Sequence, residues 1–283
     1  MAGVRIVTDS ACDLPDDMVA AHGIGIVPLT IRFGEKEYVD RVELSAREFY
    51  EKMATSDRLP ETAAPSPGAF EQEFTRMADE GATAIVCVNL SSDLSATMAS
   101  AQNAAKAFSG GGVDVRVVDS HSITTGLGSQ VLEAAKAAEA GRSVDEIVAR
   151  VEDLAGRTHV FGALDTLENL KKGGRIGGAQ AMLGTILSIK PIVDISTGVV
   201  EEAAKQRTRK KAMLWLRDKL FELPLVENLC VADGHAPDAD EFLALILERY
   251  DRDQIMLGTI GATIGTHGGP RMLGLTWVDP APG

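Results

Sequence analysis

Cysteine is scarce in this chain: three in 283 residues, at Cys12, Cys87 and Cys230. An odd, widely spaced set makes neither a disulfide framework nor a metal knuckle, so no metal site is expected. Cys87 lies inside the apolar run Ala84-Ile85-Val86-Cys87-Val88 and reads as a small core residue. A basic surplus is also lacking. With 28 Lys+Arg against 41 Asp+Glu the formal net charge is −13, which argues against a nucleic-acid partner, because phosphate contacts need a basic surface. No apolar run approaches a membrane span, so no stable membrane insertion is expected. The first residues lack the charged start and apolar core of a signal peptide, which makes the cytoplasm the expected location. There is no internal repeat and no low-complexity segment. Lys171-Lys172-Gly173-Gly174-Arg175 lacks the spacing of a P-loop, and no nucleophile elbow occurs.

What is present is a pattern used three times in the first 122 residues. Val4-Arg5-Ile6-Val7 runs into Thr8-Asp9-Ser10, the run at 84–88 into Asn89-Leu90-Ser91-Ser92, and Val115-Arg116-Val117-Val118 into Asp119-Ser120-His121-Ser122. Each is followed by a plausible helix. Strand, polar loop and helix in succession point to an open α/β sheet, with ligands beyond the carboxyl ends of the strands. The polar clusters supply hydroxyls and backbone N–H groups without an obvious nucleophile–base pair. They suit binding a small acid better than transforming one.

Further elements follow from local signals. Asp13-Leu14-Pro15 predicts a short helix with Asp13 as N-cap. The stretch 23–31 reads as one strand, and Leu44-Ser45 starts a helix around Arg47–Met53. Pro60, Pro65 and Pro67 predict a loop free of regular structure. Phe70, Phe74 and Met77, then Leu94, Met98, Ala101 and Ala105, recur at helical spacing. Helices are expected over Leu132–Ala140 and Val144–Leu154. Gly156-Arg157-Thr158 marks a domain boundary, giving domains 1–157 and 158–283. Beyond it, strands are expected at Val160–Leu164, Leu229–Val231 and Met256–Ile260. The run Leu183–Ile189 precedes Lys190-Pro191-Ile192-Val193. Helices are expected at Thr166–Lys172, Ala204–Leu220 and Asp240–Tyr250, and a frayed tail from Asp279.

Several residues are candidates for a site, each with an ordinary alternative. Ser92 or Asp93 suits an N-cap. Ser95 and Thr97 are expected in the first helical turn, where unpaired N–H groups favour an anion. Thr62 is either a plain loop residue or, between small and rigid neighbours, a ligand hydroxyl. The glycine- and hydroxyl-rich stretch 258–270 reads as a loop, with His267 either solvated or turned into a site. Between 203 and 219 seven basic residues face one acid, Asp218. That stretch is either a solvated helix face or a docking patch for an acidic or phosphorylated partner.

Taken in order, these motifs resemble the DegV family: Thr8-Asp9-Ser10 with Asp13-Leu14; Thr62-x-x-Pro65-Ser66; Ser91-Ser92-x-Leu94-Ser95-x-Thr97; Val118-Asp119-Ser120 with Gly126-Leu127-Gly128; 170–176; 189–192; Arg207-Thr208; and Gly265-Thr266-His267. The resemblance covers about residues 4–277, as a single unit. It departs at Ala63-Ala64, where the family usually has Ser-Gln, and at Ala96, where it usually has Gly. It implies a two-domain α/β protein, with an N-terminal parallel-sheet domain and a C-terminal α/β domain with a mixed sheet. The implied ligand is a long-chain fatty acid such as palmitate, held in a buried apolar tunnel and without any cofactor. In bacteria such a protein presents the acid to a separate ATP-dependent fatty acid kinase, which makes acyl phosphate for phospholipid metabolism. Thr62 and Ser95 fall where the family holds the carboxylate, and His267 falls near the head group. Arg175 and Arg207 match basic positions suited to phosphoryl stabilisation or kinase docking. On this resemblance the chain itself has no catalytic residues.

The chemistry is consistent with that. A buried carboxylate without a cation needs several donors, and an acyl chain needs only dry apolar walls, at about 0.8 kcal/mol per CH₂. Two other readings stand beside it. One is a free-standing hydrolase or phosphotransferase using His267 with Ser95 or Asp9. The other is an interaction module acting through the basic stretch 203–219.

Overall fold

The structure, a computed structural model, describes residues 3–183 and 189–281. Residues 184–188 of the run Leu183–Ile189, and the last two residues of the tail, lie outside them. In chain order the first half holds β1 (Gly3–Asp9), α1 (Asp16–Ala21), β2 (Gly25–Val27), β3 (Thr30–Phe33), β4 (Lys36–Val39), α2 (Ala46–Thr55) and β5 (Glu61–Ala63). It continues with α3 (Pro67–Asp79), β6 (Ala82–Asn89), α4 (Thr97–Ala107), β7 (Asp114–Asp119), α5 (Thr124–Glu139) and α6 (Val144–Ala155). The second half holds β8 (Thr158–Ala163), α7 (Glu168–Lys172), β9 (Lys190–Asp194), β10 (Glu201–Gln206) and α8 (Arg209–Phe221). After these come β11 (Glu227–Asp233), α9 (Ala239–Ile246), β12 (Met256–Thr259), α10 (Ala262–Gly268) and β13 (Leu273–Val278).

Three sheets result. The first runs β2-β1-β6-β7 and is parallel throughout. Its central strand β6 buries Ile85, Val86, Cys87 and Val88 completely, as a strand covered on both faces must. Val7, Ile85 and Cys87 pack with Phe70, Phe74 and Met77 of α3 and with Ala101 and Ala104 of α4. Ile6, Val86 and Val88 share a core with Leu127 and Val131 of α5 and Ile147 and Val151 of α6. The second sheet, β10-β9-β8-β13-β11-β12, is mixed: only β11 and β12 pair in parallel. One of its faces packs Phe161, Leu275 and Trp277 against Met213, Leu216 and Leu220 of α8 and Phe242 of α9. The other face contributes Val160, Val193, Ile195 and Ala232 to the same core as Ile6 and Leu127. Apolar packing is therefore continuous between the two large sheets. The α/β class with a parallel and a mixed sheet is as expected.

The third sheet, β4-β3-β5, is antiparallel and was not foreseen as such. The expected strand at 23–31 divides, because Pro28 cannot donate to a ladder, and β3 leaves for this sheet. The proline-rich stretch is not irregular: Glu61–Ala63 pairs with β3, Thr62 opposite Ile31, as an edge strand between prolines. Asp13 does not cap α1. It adopts the left-handed conformation, φ 50°, after a short turn at Ser10–Cys12, and α1 starts at Asp16 with Pro15 before it. Ala204–Gln206 belongs to β10, paired with β9, and α8 begins only at Arg209, capped by the Thr208 hydroxyl accepting from Lys211 N. The stretch 258–270 contains the helix α10, not a loop. Asp279 is anchored, accepting from Trp277 Nε1 at 3.2 Å and hydrogen-bonded to His159 Nε2 at 2.8 Å. Strand β13, unread in the sequence, lies between β8 and β11.

Candidate functional site

A cavity opens between the halves where the shared core is incomplete. Its empty volume is about 850 Å³, open mouth included. The walls are mostly apolar: Leu29, Leu90, Ile123, Val160, Leu164, Val193, Ile195 and Ile260 are among them. Among the described residues, the polar ones on the lining are Thr62, Ser95, Thr124, Arg175, Thr263 and His267.

Two of these six turn their hydroxyls away from the space. Thr124 donates to Asp13 Oδ2 at 2.6 Å and Thr263 to Asp40 Oδ2 at 2.8 Å. They belong to a buried acid layer beneath α10. Asp40 also accepts from Ser10 Oγ at 2.8 Å, and Asp13 Oδ1 accepts from Gly261 N at 3.0 Å, at the start of α10. Asp9 accepts from Leu90 N, Asn89 Nδ2 and Ala11 N. Burial raises all three carboxyls, Asp9 to about 6 and Asp13 to about 7 from 3.8. Asp9 does not line the cavity, and its bonds tie β1 to the end of β6.

The other four residues gather at the mouth. Thr62, on β5, reaches His267 Nε2 with Oγ1 at 3.0 Å, across 205 positions of sequence. His267 lies in the last turn of α10, a helix fixed at its start by Asp13 and by Tyr50, whose hydroxyl donates to Ile260 O at 3.0 Å. Gly265 permits that packing: a Cβ there would stand 2.7 Å from both Phe49 and Tyr50. The His267 ring lies against Gly173, where a Cβ would come within 2.4 Å of Nδ1. Its pKa is pushed down to about 4 by burial and then by the Arg175 charge, so the imidazole is neutral at neutral pH. Its Nδ1 is buried with no partner among the described residues. An unpartnered ring nitrogen costs less as a bare acceptor than as a stranded N–H donor. We therefore assign the proton to Nε2, which donates to Thr62 Oγ1 and leaves the Thr62 hydroxyl proton free to point into the mouth.

Ser95 lies just ahead of α4 rather than in its first turn. Its Oγ is 2.9 Å from Thr97 Oγ1 and accepts from Thr97 N at 3.3 Å. Neither Ser92 nor Asp93 caps α4, whose N-cap position is Ala96. Arg175 is exposed, yet it donates to Leu94 O at 3.2 Å and to Gly173 O at 2.7 Å. It thereby ties the Ser95 loop to the second half of the chain and holds a positive charge at the rim. Arg207 is elsewhere: it is exposed between β10 and α8 and does not line the cavity. In the basic stretch Lys205, Arg209, Arg217 and Lys219 have acidic partners, whereas Arg207, Lys210 and Lys211 have no ion pair among the described residues.

Of the residues singled out in sequence, Thr62, Ser95, Arg175 and His267 thus meet at one mouth, and Arg207 and Asp9 do not. Ser95 pairs with Thr97 and His267 with Thr62. No cluster able to hold a metal occurs among the described residues. Sequence reasoning missed Asp40, Thr124 and Thr263, whose significance comes only from being buried together.

Comparison with known proteins follows the same line. The model of the family described as "Uncharacterised protein, DegV family" matches residues 3–279. A DegV domain-containing protein of Streptomyces coelicolor is 37% identical, over 96% of this chain and 97% of its own length. A solved structure described as fatty acid binding of a DegV family protein from Thermus thermophilus superposes with a TM-score of 0.89 at 32% identity, covering 98% of this chain and 100% of its own. DegV of Bacillus subtilis, described as a fatty acid binding protein, superposes with a TM-score of 0.87 at 29% identity, covering 98% and 99%.

Proposed function

This chain belongs to the DegV family, and from that premise we propose that it binds a long-chain fatty acid such as palmitate in the cavity, carboxylate at the mouth. The observation that carries the reading is the distribution of polarity: apolar walls, with Thr62, Ser95, His267 and Arg175 together at one end. The Thr62 and Ser95 hydroxyls donate to the carboxylate. His267, neutral, supports Thr62 from behind through Nε2–H, and the rim charge of Arg175 favours an anion without contacting it in the interior. Each buried methylene adds about 0.8 kcal/mol, so a chain of roughly sixteen carbons supplies most of the affinity.

Chemistry on the acid takes place on a partner in this reading. The carboxylate at an open mouth is placed for presentation to a separate ATP-dependent fatty acid kinase. Arg175 at the rim stabilises the phosphoryl group, and Arg207 with Lys210 and Lys211 forms the docking surface. Lipid extracted from the purified protein and weighed by mass spectrometry tests the first part. The expected species is a long-chain fatty acid, and a delipidated chain that binds none at micromolar concentration sinks the proposal. Acyl phosphate formation with kinase and ATP, present with the wild type and lost with Arg175→Ala, tests the second.

A further inference from the structure

Two glycines on neighbouring strands line the cavity: Gly162 of β8 and Gly274 of β13. They are direct cross-strand partners in an unbroken antiparallel register, so they share a face of the sheet. Glycine weakens a strand interior, and it is normally explained there by a positive φ, a bulge, or another group in close approach. Neither residue has a positive φ, and the β8–β13 ladder has no register shift. No group of the described residues crowds them either. A Cβ on Gly162 would stand 3.5 Å from Val193 Cγ2, and one on Gly274 would stand 3.5 Å from Ile260 Cδ1. Both are ordinary van der Waals distances, and Val193 and Ile260 are themselves cavity wall.

Gly258 of β12, in the same cross-strand row through Ala232, behaves differently. A Cβ there would come within 2.8 Å of Thr125 Cγ2, so protein packing accounts for it. For Gly162 and Gly274 the space left by the missing side chains belongs to the cavity. They also lie away from the mouth. Ser95 and Arg175 border one open surface cleft, and Thr62, His267 and again Arg175 border a second beside it, whereas the two glycines border neither.

We propose that the Gly162–Gly274 pair keeps the inner part of the acyl slot open and so sets the longest chain the protein accepts. This rests on the fatty-acid reading above. The test is equilibrium binding of decanoic, palmitic and stearic acid to delipidated wild type, Gly162→Ala, Gly274→Ala and Gly258→Ala, with thermal melting of each. Gly162→Ala and Gly274→Ala are expected to weaken palmitic and stearic acid by about tenfold, the loss of about two buried methylenes, while decanoic acid binds as to wild type. Gly258→Ala is expected to lower the melting temperature and leave the chain-length order unchanged. Wild-type affinity ratios in both cavity variants would overturn the proposal and leave fatty-acid binding standing. So would a loss equal at every chain length. A wild type that binds none of the three acids would bring down the functional reading as well.

Discussion

The acid layer beneath α10 and the cavity mouth at its far end are built from the same residue types and do opposite things. In the layer, Asp40 is held by the hydroxyls of Ser10 and Thr263, and Asp13 by Thr124 and a backbone N–H. No ion pair neutralises either carboxyl among the described residues; the nearest guanidinium, Arg41, pairs with Asp16. At the mouth the Thr62 hydroxyl meets His267 and the Ser95 hydroxyl meets Thr97, and no carboxylate of the described residues bonds to either. The layer shows how this fold satisfies a buried carboxyl: two directed hydroxyls on Asp40, one hydroxyl and a backbone amide on Asp13, with burial raising the pKa. In the proposed function the mouth offers the same kind of donors to the carboxylate of the fatty acid.

The comparison is broken most decisively at the mouth. The Thr62→Ala, Ser95→Ala double variant is expected to weaken fatty-acid binding by about 3 kcal/mol, since each hydrogen bond to a charged group is worth about 1.5 kcal/mol or more. Calorimetric titration reads this, and a near-wild-type affinity would mean the carboxylate lies elsewhere. In the layer, Asp40→Ala strands the Ser10 and Thr263 hydroxyls and is expected to cost about 2 kcal/mol of stability. Denaturant unfolding measures it, and an unchanged midpoint would show that the two hydroxyls find other partners.

Titration sharpens the contrast. Asp9 and Asp13 have folded-state values of about 6 and about 7 against 3.8. Their protonated forms are favoured by folding, so their stabilising contribution is full below 3.8 and fades as pH rises through about 7. His267 runs the other way: at about 4 against 6.5, its contribution is full above 6.5 and fades as pH falls through about 4. The melting temperature of Asp13→Asn relative to wild type is therefore expected to rise steadily from acid to neutral pH. A constant difference would show that Asp13 is already ionised in the acid range. The smallest effect belongs to the exposed basic surface. The Lys210→Glu, Lys211→Glu variant should change stability by less than about 0.5 kcal/mol and leave fatty-acid affinity unaltered. A marked loss of affinity in a calorimetric titration would place that surface in the ligand site.

Where local pattern and burial agree, elements were readable. The run at 84–88 becomes β6, and the Phe70, Phe74, Met77 spacing becomes α3. Where an element depends on a distant partner, local signals misled. Thr62 is in a strand because β3 pairs with it, despite the prolines on either side. Residues 262–268 of that glycine-rich stretch form a helix, with Asp13 holding the N–H of Gly261 just before it and Gly265 leaving a bare surface for Phe49 and Tyr50. Asp13 itself looked like a cap for the next helix and instead holds one about 250 positions away.

Composition and motif order suffice for the α/β class, the family and the identity of Thr62, Ser95, Arg175 and His267 as residues of interest. These are properties of short windows and of their sequence order. The assembly of those four at one mouth, the displacement of Arg207 from it, and the bare Gly162–Gly274 wall are decided by tertiary structure. Each depends on strand register or helix placement between residues far apart in the chain. A hydroxyl or a glycine carries no mark in sequence of which way it will face.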